Sequence, residues 1–422
     1  MWFLTFVALA APGAAAAPSA APASPVQPAR LVIDNATVLT ISGPVIVDGT
    51  VIIEGGRIRE VGSGLPLPAG FPVVDARGGY LMPGIIDVHS HMGVYSWPGG
   101  SGTDDGNEAV EAFTPRVWAG DSFDPEDPAL ARARAGGVTT IQVLPGSANL
   151  VGGLSAILKL RPARTIEPML FAGAPRGIKM AVGENPKRVY RNAPDDDQLQ
   201  TRMGLFAALR ARFQAALDYR TARTRKEPPA RDLDAETLLD VIDGKIRVNL
   251  HGYRAYDVVG FYRVADAFGF SVAIFHHALD AYKVRDILVA HGTAVATWPD
   301  WWGFKLEAFD GIPWNAQMVH EAGGTAILHS DSADHVQRLN FEAAKLVRYG
   351  MSESEALRTI TLNPAIGLGL ADRVGAIAPG RDADLVLYDR HPFDIYTQVQ
   401  LTWIDGAPVY DRERDGVPDG QR

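Results

Sequence analysis

Two observations predict the fold class. From Gly84 to Ala378, short β-branched runs alternate with amphipathic stretches, and the two chain ends share a different texture of brief strands and tight turns. Repeated strand–helix alternation implies a largely parallel sheet, and eight such units close a barrel in about 250 residues. The expectation is an α/β protein: a (β/α)8 TIM barrel, residues 84–378, inserted in a small β-sandwich domain built from 29–83 and 379–422. An open doubly wound sheet is the lesser alternative, because no Gly-rich dinucleotide loop follows a strand.

Along the chain, Trp2–Ala11 is apolar but for Thr5, an Ala/Pro-rich stretch follows, and the first 29 residues carry no charged side chain. Such a run is too short to span a bilayer and reads as a secretory signal peptide over 1–28. A secreted or periplasmic protein is therefore expected, with no membrane span in the mature form. Next, Leu31–Asp34, Ala36–Leu39, Val45–Val47 and Thr50–Glu54 read as short strands, with Asp48-Gly49 and Gly55-Gly56 as hairpin signals. The far C-terminus has the same character, with Ala383–Tyr388, Trp403-Ile404-Asp405-Gly406 and Pro408–Tyr410.

Within the middle, Ile85–Val88, Val138–Val143, Ser155–Leu160, Gly177–Val182, Ile246–His251, Ser271–Phe275, Ala294–Thr297 and Thr325–Leu328 are the candidate strands. Helices are expected over Ala129–Ala135, Ala235–Asp243, Tyr256–Phe268, Ala281–His291 and Trp314–Ala322, with two more between Gln198 and Arg225. Ser352-Glu353-Ser354-Glu355 has the form of a capping box.

Composition removes several function classes. Lys and Arg number 40 against 49 Asp and Glu, a net charge of −9, which excludes the overall electrostatics of a nucleic-acid binder. Cysteine is absent, so neither disulfides nor thiolate ligands are available.

The chemistry concentrates at predicted strand ends. His89 and His91 in Asp87-Val88-His89-Ser90-His91 are two residues apart, hence on one face of a strand. His251 ends the strand from Ile246, His276-His277 end the strand from Ser271, and Asp331 follows the strand from Thr325. Imidazoles and a carboxylate at the C-terminal rim of a barrel suit a divalent cation of the zinc type. His329, two residues before Asp331, reads as a packed core histidine one layer deeper. Trp298-Pro299-Asp300-Trp301-Trp302-Gly303-Phe304 is an aromatic cluster able to wall a pocket, and the loop Gly93–Phe113 is a candidate lid.

Taken with Leu81–His91, Gly137-Val138-Thr139-Thr140, His251-Gly252-Tyr253-Arg254, Leu357–Ala365 and Val374–Leu385, the chain over 31–410 resembles the amidohydrolase superfamily, in its imidazolonepropionase-like and prolidase-like branch of metallohydrolases. The resemblance implies one or two divalent ions, zinc first. His89 and His91 would hold the more buried ion; His251 and His277 would hold a second or share the first. Asp331 would bind metal and act as general base. His276 stays as the alternative to His277. Lys179 would be carboxylated and bridge two ions, with Glu184 as the alternative bridge.

Tyr253 stands where relatives often have histidine, so it is a substrate-side candidate. Arg254 is placed either on a substrate carboxylate or on Asp257, and Trp298 against the substrate. The activity implied is hydrolysis of a C–N bond in an amide or dipeptide-like small molecule. A cyclic amide or amidine hydrolase, or a deaminase, is the alternative, and a non-catalytic metal- or ligand-binding barrel is the alternative of another class. Homo-oligomerisation is left open.

Overall fold

The computed structural model describes residues 30–193 and 199–417, so the segment read as a signal peptide lies outside the described residues. The β-rich ends contribute β1 (Arg30–Val38), β2 (Ile46–Glu54), β3 (Arg57–Ser63), β4 (Val73–Asp75) and β5 (Tyr80–Pro83). After the middle of the chain come β15 (Leu385–Tyr388), β16 (Val399–Ile404) and β17 (Ala407–Asp411). All eight share one mixed sheet, in the order β17-β16-β15-β5-β1-β2-β3 with β4 beside β1. The join between the two ends is antiparallel, Leu385 opposite Pro83 and Tyr388 opposite Tyr80.

Turn chemistry explains two of the hairpins. Gly55 and Gly56 have φ of 64° and 77°, and Asp405 and Gly406 have 50° and 72°. Two successive positive φ values match the twist of the flanking strands. Asp48-Gly49 behaves differently from the expected turn. It lies within β2, where Asp48 has φ 51° and the pairing with β1 shifts register. The extra residue is absorbed as a bulge rather than a reversal.

Between the ends run β6 (Ile85–Ser90), β7 (Val138–Val143), β8 (Val151–Leu154), β9 (Ala156–Lys159), β10 (Arg176–Ala181), β11 (Ile246–Gly252), β12 (Val272–His277), β13 (Ala294–Thr297) and β14 (Ala326–Leu328). The strands β10 to β14 pair in parallel and in sequence order. So do β6 and β7. The segment β8–β9 departs from the parallel expectation, since β8 is antiparallel to β10 and β9 antiparallel to β7. Residues 144–150 are too few for the crossover of about a dozen residues that a parallel return needs.

This segment links the two sheets on one side. On the other side Ser330 N donates to Asp87 Oδ1 at 3.2 Å and Asp331 N to His89 O at 3.1 Å. Beneath, Ile86 N donates to Ile360 O at 2.9 Å, and Asn363 Nδ2 to Ala326 O at 2.8 Å.

The helices pack outside. The stretch expected as two helices after Gln198 is one helix, Arg202–Ala222, capped by Thr201 Oγ1, which accepts from Gly204 N at 3.1 Å. It buries Leu205, Leu209, Phe213 and Ala216, a stripe at helical spacing. Ser352 caps its helix as expected, accepting from Glu355 N at 3.2 Å. No helix among the described residues is long and apolar enough to cross a membrane.

A buried cation joins the two halves. Lys159 of β9 is about 1% exposed and donates to Asp382 at 2.9 Å, Asp384 at 3.1 Å and Asp405. Arg373 shares Asp382 and Arg161 shares Asp405. Removing one partner from a buried ionic group leaves the rest uncompensated, which costs about 3–5 kcal/mol. Lys159→Met, which keeps the stem and deletes the charge, is expected to lower unfolding free energy by that amount in urea denaturation. A loss under about 1 kcal/mol, the scale of a surface pair, would contradict the assignment.

Candidate metal centre

The strand β6 delivers Asp87, His89 and, just past its end, His91. Asp87 is fully buried, and burial raises its carboxyl to about 6 despite the hydrogen bonds it accepts. Those donors are His89 N at 3.1 Å, Ser330 N, and the Ser330 hydroxyl. Asp87 thus pins the 329–331 segment beside the His-x-His pair. Asp331 adopts φ 50° and His277 φ 68°, two non-glycine residues in the left-handed region. Such backbone costs about 1–3 kcal/mol per residue and clusters at functional sites.

The result is a small triangle. His89 Nε2 lies 3.3 Å from His91 Nε2, and Asp331 Oδ1 lies 3.6 Å from the first and 3.3 Å from the second. The ring partners assign the protons. His91 Nδ1 faces Leu144 O at 2.8 Å and must donate to it. His276 Nε2 faces Asn249 Oδ1 at 3.0 Å, so His276 Nδ1 is the acceptor for His89 Nδ1, 3.0 Å away. Both Nε2 atoms then present lone pairs to each other and to a carboxylate oxygen.

A proton on His91 Nε2 can serve only one neighbour; a cation serves all three. Zinc bonds of 2.0–2.1 Å in tetrahedral geometry set donors about 3.4 Å apart, the size of this triangle. The donor set fits a divalent ion.

Electrostatics keep the donors in their ligating forms. Burial drives His89, His251, His276 and His277 well below the ordinary imidazole range, with the Lys179 ammonium adding to it in each case. Burial opposes ionisation of Asp331, yet His91 and the surrounding cationic groups hold its carboxyl below the usual range.

The other candidates gather around this triangle. Lys179 is fully buried, donates to Pro145 O at 3.1 Å, and is lowered to about 7 by burial. The His251 ring stands 4.5 Å from that of His277, which stands 4.6 Å from that of His89. His251 Nδ1 meets Ser147 Oγ at 2.8 Å, while its buried Nε2 and His277 Nδ1 have no hydrogen-bond partner.

The neighbouring histidines differ in surroundings: His276 supports His89 from below, whereas His277 stands with His251 and Tyr253. Glu184, the alternative bridge, pairs with Lys305 at 3.4 Å. His329, expected as a packed core residue, is buried, but its donor atom falls within 4.8 Å of those of His89 and His277.

Tyr253 is buried and stacks on His277 at 5.1 Å with planes 9° apart; burial pushes its hydroxyl far up. Trp298 also stacks on His277, 4.7 Å away, lies 6.5 Å from Tyr253, and donates from its Nε1 to Ser330 O at 3.2 Å. Arg254 does not reach Asp257, which binds Arg202 instead. Its guanidinium is engaged by Asp310 at 2.7 Å and Leu306 O at 2.8 Å. A cleft of about 520 Å³, lined by Tyr253, Trp298, Asp300, Trp301, Trp302 and Phe304, opens onto Asp331. From the loop Gly93–Phe113, Tyr95 brings its ring to 5.4 Å from His91 and is held by Asn107.

Sequence reasoning missed Asn249, Ser147 and Ser330, which orient the donors. Asn249 carried one signal, its place two residues before His251 on the same strand face.

Comparison with known proteins follows from this geometry. The Amidohydrolase family model matches residues 311–411. A solved amidohydrolase from Thermotoga maritima MSB8 superposes with a TM-score of 0.84 at 37% identity, covering 90% of this chain and 100% of that one. Amidohydrolase tasK of Hapsidospora irregularis is 34% identical over 366 residues, 80% of this chain and 37% of tasK. An imidazolonepropionase of Thermoplasma volcanium is 28% identical over 163 residues, 35% of this chain and 38% of that enzyme. The matches thus span little more than a third of the length of these two curated relatives. The chain belongs to the amidohydrolase family.

Asn249 tests the proton assignment. Asn249→Leu removes the acceptor that fixes the His276 and His89 tautomers, and loss of such an outer partner typically weakens metal binding 10–100-fold. Zinc affinity, read by competition with a chromophoric chelator, is expected to fall within that range; unchanged affinity would reject the assignment.

Proposed function

We propose that this protein is a metal-dependent hydrolase of the (β/α)8 type that cleaves a C–N bond in an amide or dipeptide-like small molecule. The observation that carries the proposal is the triangle of His89 Nε2, His91 Nε2 and Asp331 Oδ1, with edges of 3.3–3.6 Å. One or two divalent ions, zinc by the nitrogen-rich donor set, would be held by His89, His91 and Asp331 with His251, His277 and Lys179 beside them. When bound they supply Lewis acidity and lower the pKa of water.

Lys179 is assigned as a carboxylated bridge. Its burial leaves a substantial neutral amine fraction near pH 7, the form that adds carbon dioxide, and an anionic carbamate suits a pair of cations. Asp331, ionised and fixed at the rim, accepts the proton of the attacking water and returns it to the leaving nitrogen. Tyr253 keeps its hydroxyl proton and donates it in a hydrogen bond to the developing oxyanion. Trp298 and the aromatic cleft hold the flanking apolar part of the substrate and exclude water. Arg254 braces the rim through Asp310 rather than reading a substrate carboxylate.

A second reading is hydrolysis of a cyclic amide or amidine, or a deamination. It is favoured by the flat faces of Tyr253 and Trp298, neighbouring rings 6.5 Å apart that both stack on His277, and by the similarity to an imidazolonepropionase.

Two measurements test the proposal. Chelation is expected to abolish turnover on a panel of N-acyl amino acids, dipeptides and cyclic amides, and zinc to restore it. Asp331→Asn, with fold and metal content checked, is expected to lower kcat about 10²–10⁴-fold. A protein that retains metal but hydrolyses nothing on the panel would favour a binding module; undiminished kcat in the variant would overturn the base assignment.

A further inference from the structure

His329 is the one site histidine that the proposed mechanism leaves idle, and its surroundings do not suit a packing role. The ring is about 1% exposed and both of its nitrogens are buried without a hydrogen-bond partner. A neutral imidazole always carries one N–H and one lone pair. Burying an unpaired polar group costs about 1–3 kcal/mol, so a histidine used only as filler would be replaced at a gain by Leu or Phe.

The neighbours of His329 are rings of the same kind: His89 at 5.0 Å, His277 at 5.1 Å and Trp298 at 4.7 Å between centroids.

Donor atoms of His89, His277 and His329 lie within 4.8 Å of one another, a second cluster of metal-ligand type that shares His89 with the His89–His91–Asp331 triangle. Contraction to the spacing of about 3.4 Å that tetrahedral zinc needs is a matter of an ångström or so of side-chain rotation. His277 Nδ1 is unpartnered as well. Trp298 and Asp87, each bonded to Ser330, hold the His329-Ser330-Asp331 segment in place from two sides.

From this juxtaposition we propose that His329 is a direct ligand of the divalent ion that His89 holds, joining it from the side of His277. The proposal rests on the metal-dependent reading above. It adds a donor beyond the His89, His91, Lys179, His251, His277 and Asp331 set. The 329–331 segment then contributes in the same manner as 89–91: two side chains, two residues apart, both facing the ion site.

The test uses the full-length protein loaded with zinc. Anomalous diffraction at the zinc edge is expected to show a peak within about 2.3 Å of a His329 nitrogen, close to the normal 2.0–2.1 Å bond. Zinc affinity of folded His329→Phe, which keeps the ring's bulk, is expected to fall at least about tenfold. Peaks confined to the other donors, or wild-type affinity in His329→Phe, would overturn the proposal while leaving the hydrolase reading intact. A wild-type protein that takes up no divalent ion at all would overturn both.

Discussion

Everything at the rim depends on one constraint: ring nitrogens of two histidines and an ionised carboxylate are made to converge within 3.6 Å. The fold holds them there because three attachments over-determine the geometry. The carbonyl of Leu144 orients His91, the Asn249–His276 relay orients His89, and Asp87 with Ser330 anchors the segment that carries Asp331. Left-handed backbone at Asp331 and His277 belongs to the same account, since strain of this sort persists only where the surroundings enforce it. A site built this way is preorganised for a cation before one arrives.

Depth below the surface divides the labour. Near solvent, aromatic faces define a cleft, and the charged groups around it are engaged with one another: Arg254 with Asp310, Lys305 with Glu184. Further in sit the imidazoles of His89, His251 and His277, which burial holds well below the ordinary range. Below them His276 meets His89 and Asn249, and Asn249 also donates to Arg247 O at 3.4 Å. The likeness to the Thermotoga maritima amidohydrolase extends over the whole of that chain, so the fold that carries this layering is shared.

Much of this was readable from residues alone. Hairpins marked by Gly55-Gly56 and Asp405-Gly406 form where φ can be positive. Strand ends bearing His89, His91, His251 and Asp331 come together because parallel strands in sequence order place their C-termini on one rim.

What escaped the reading has definite physical causes. A strand pattern has period two but no direction, so the antiparallel course of Val151–Lys159 left no trace; only the brevity of residues 144–150 betrays it. Adjacent histidines such as His276 and His277 differ in facing alone, and His277, the last residue of its strand, has a positive φ that a sequence pattern does not reveal. His329, read as a packed core histidine, is buried, and the missing hydrogen bonds of its two nitrogens become visible only in three dimensions. Arg254 found Asp310, distant in sequence, ahead of the near neighbour Asp257.

The Lys159 cluster has a consequence for how the molecule is made. Its ammonium sits in the antiparallel stave, while its counter-charges arrive more than two hundred residues later, at Asp382, Asp384 and Asp405. During synthesis that lysine must wait in a half-built interior, and the strand next to the His89 segment, β5, lacks its partner β15 for the same interval. Completion of the mixed sheet and of the Lys159 cluster therefore waits for strands made late in synthesis, a long-range dependence that favours slow folding.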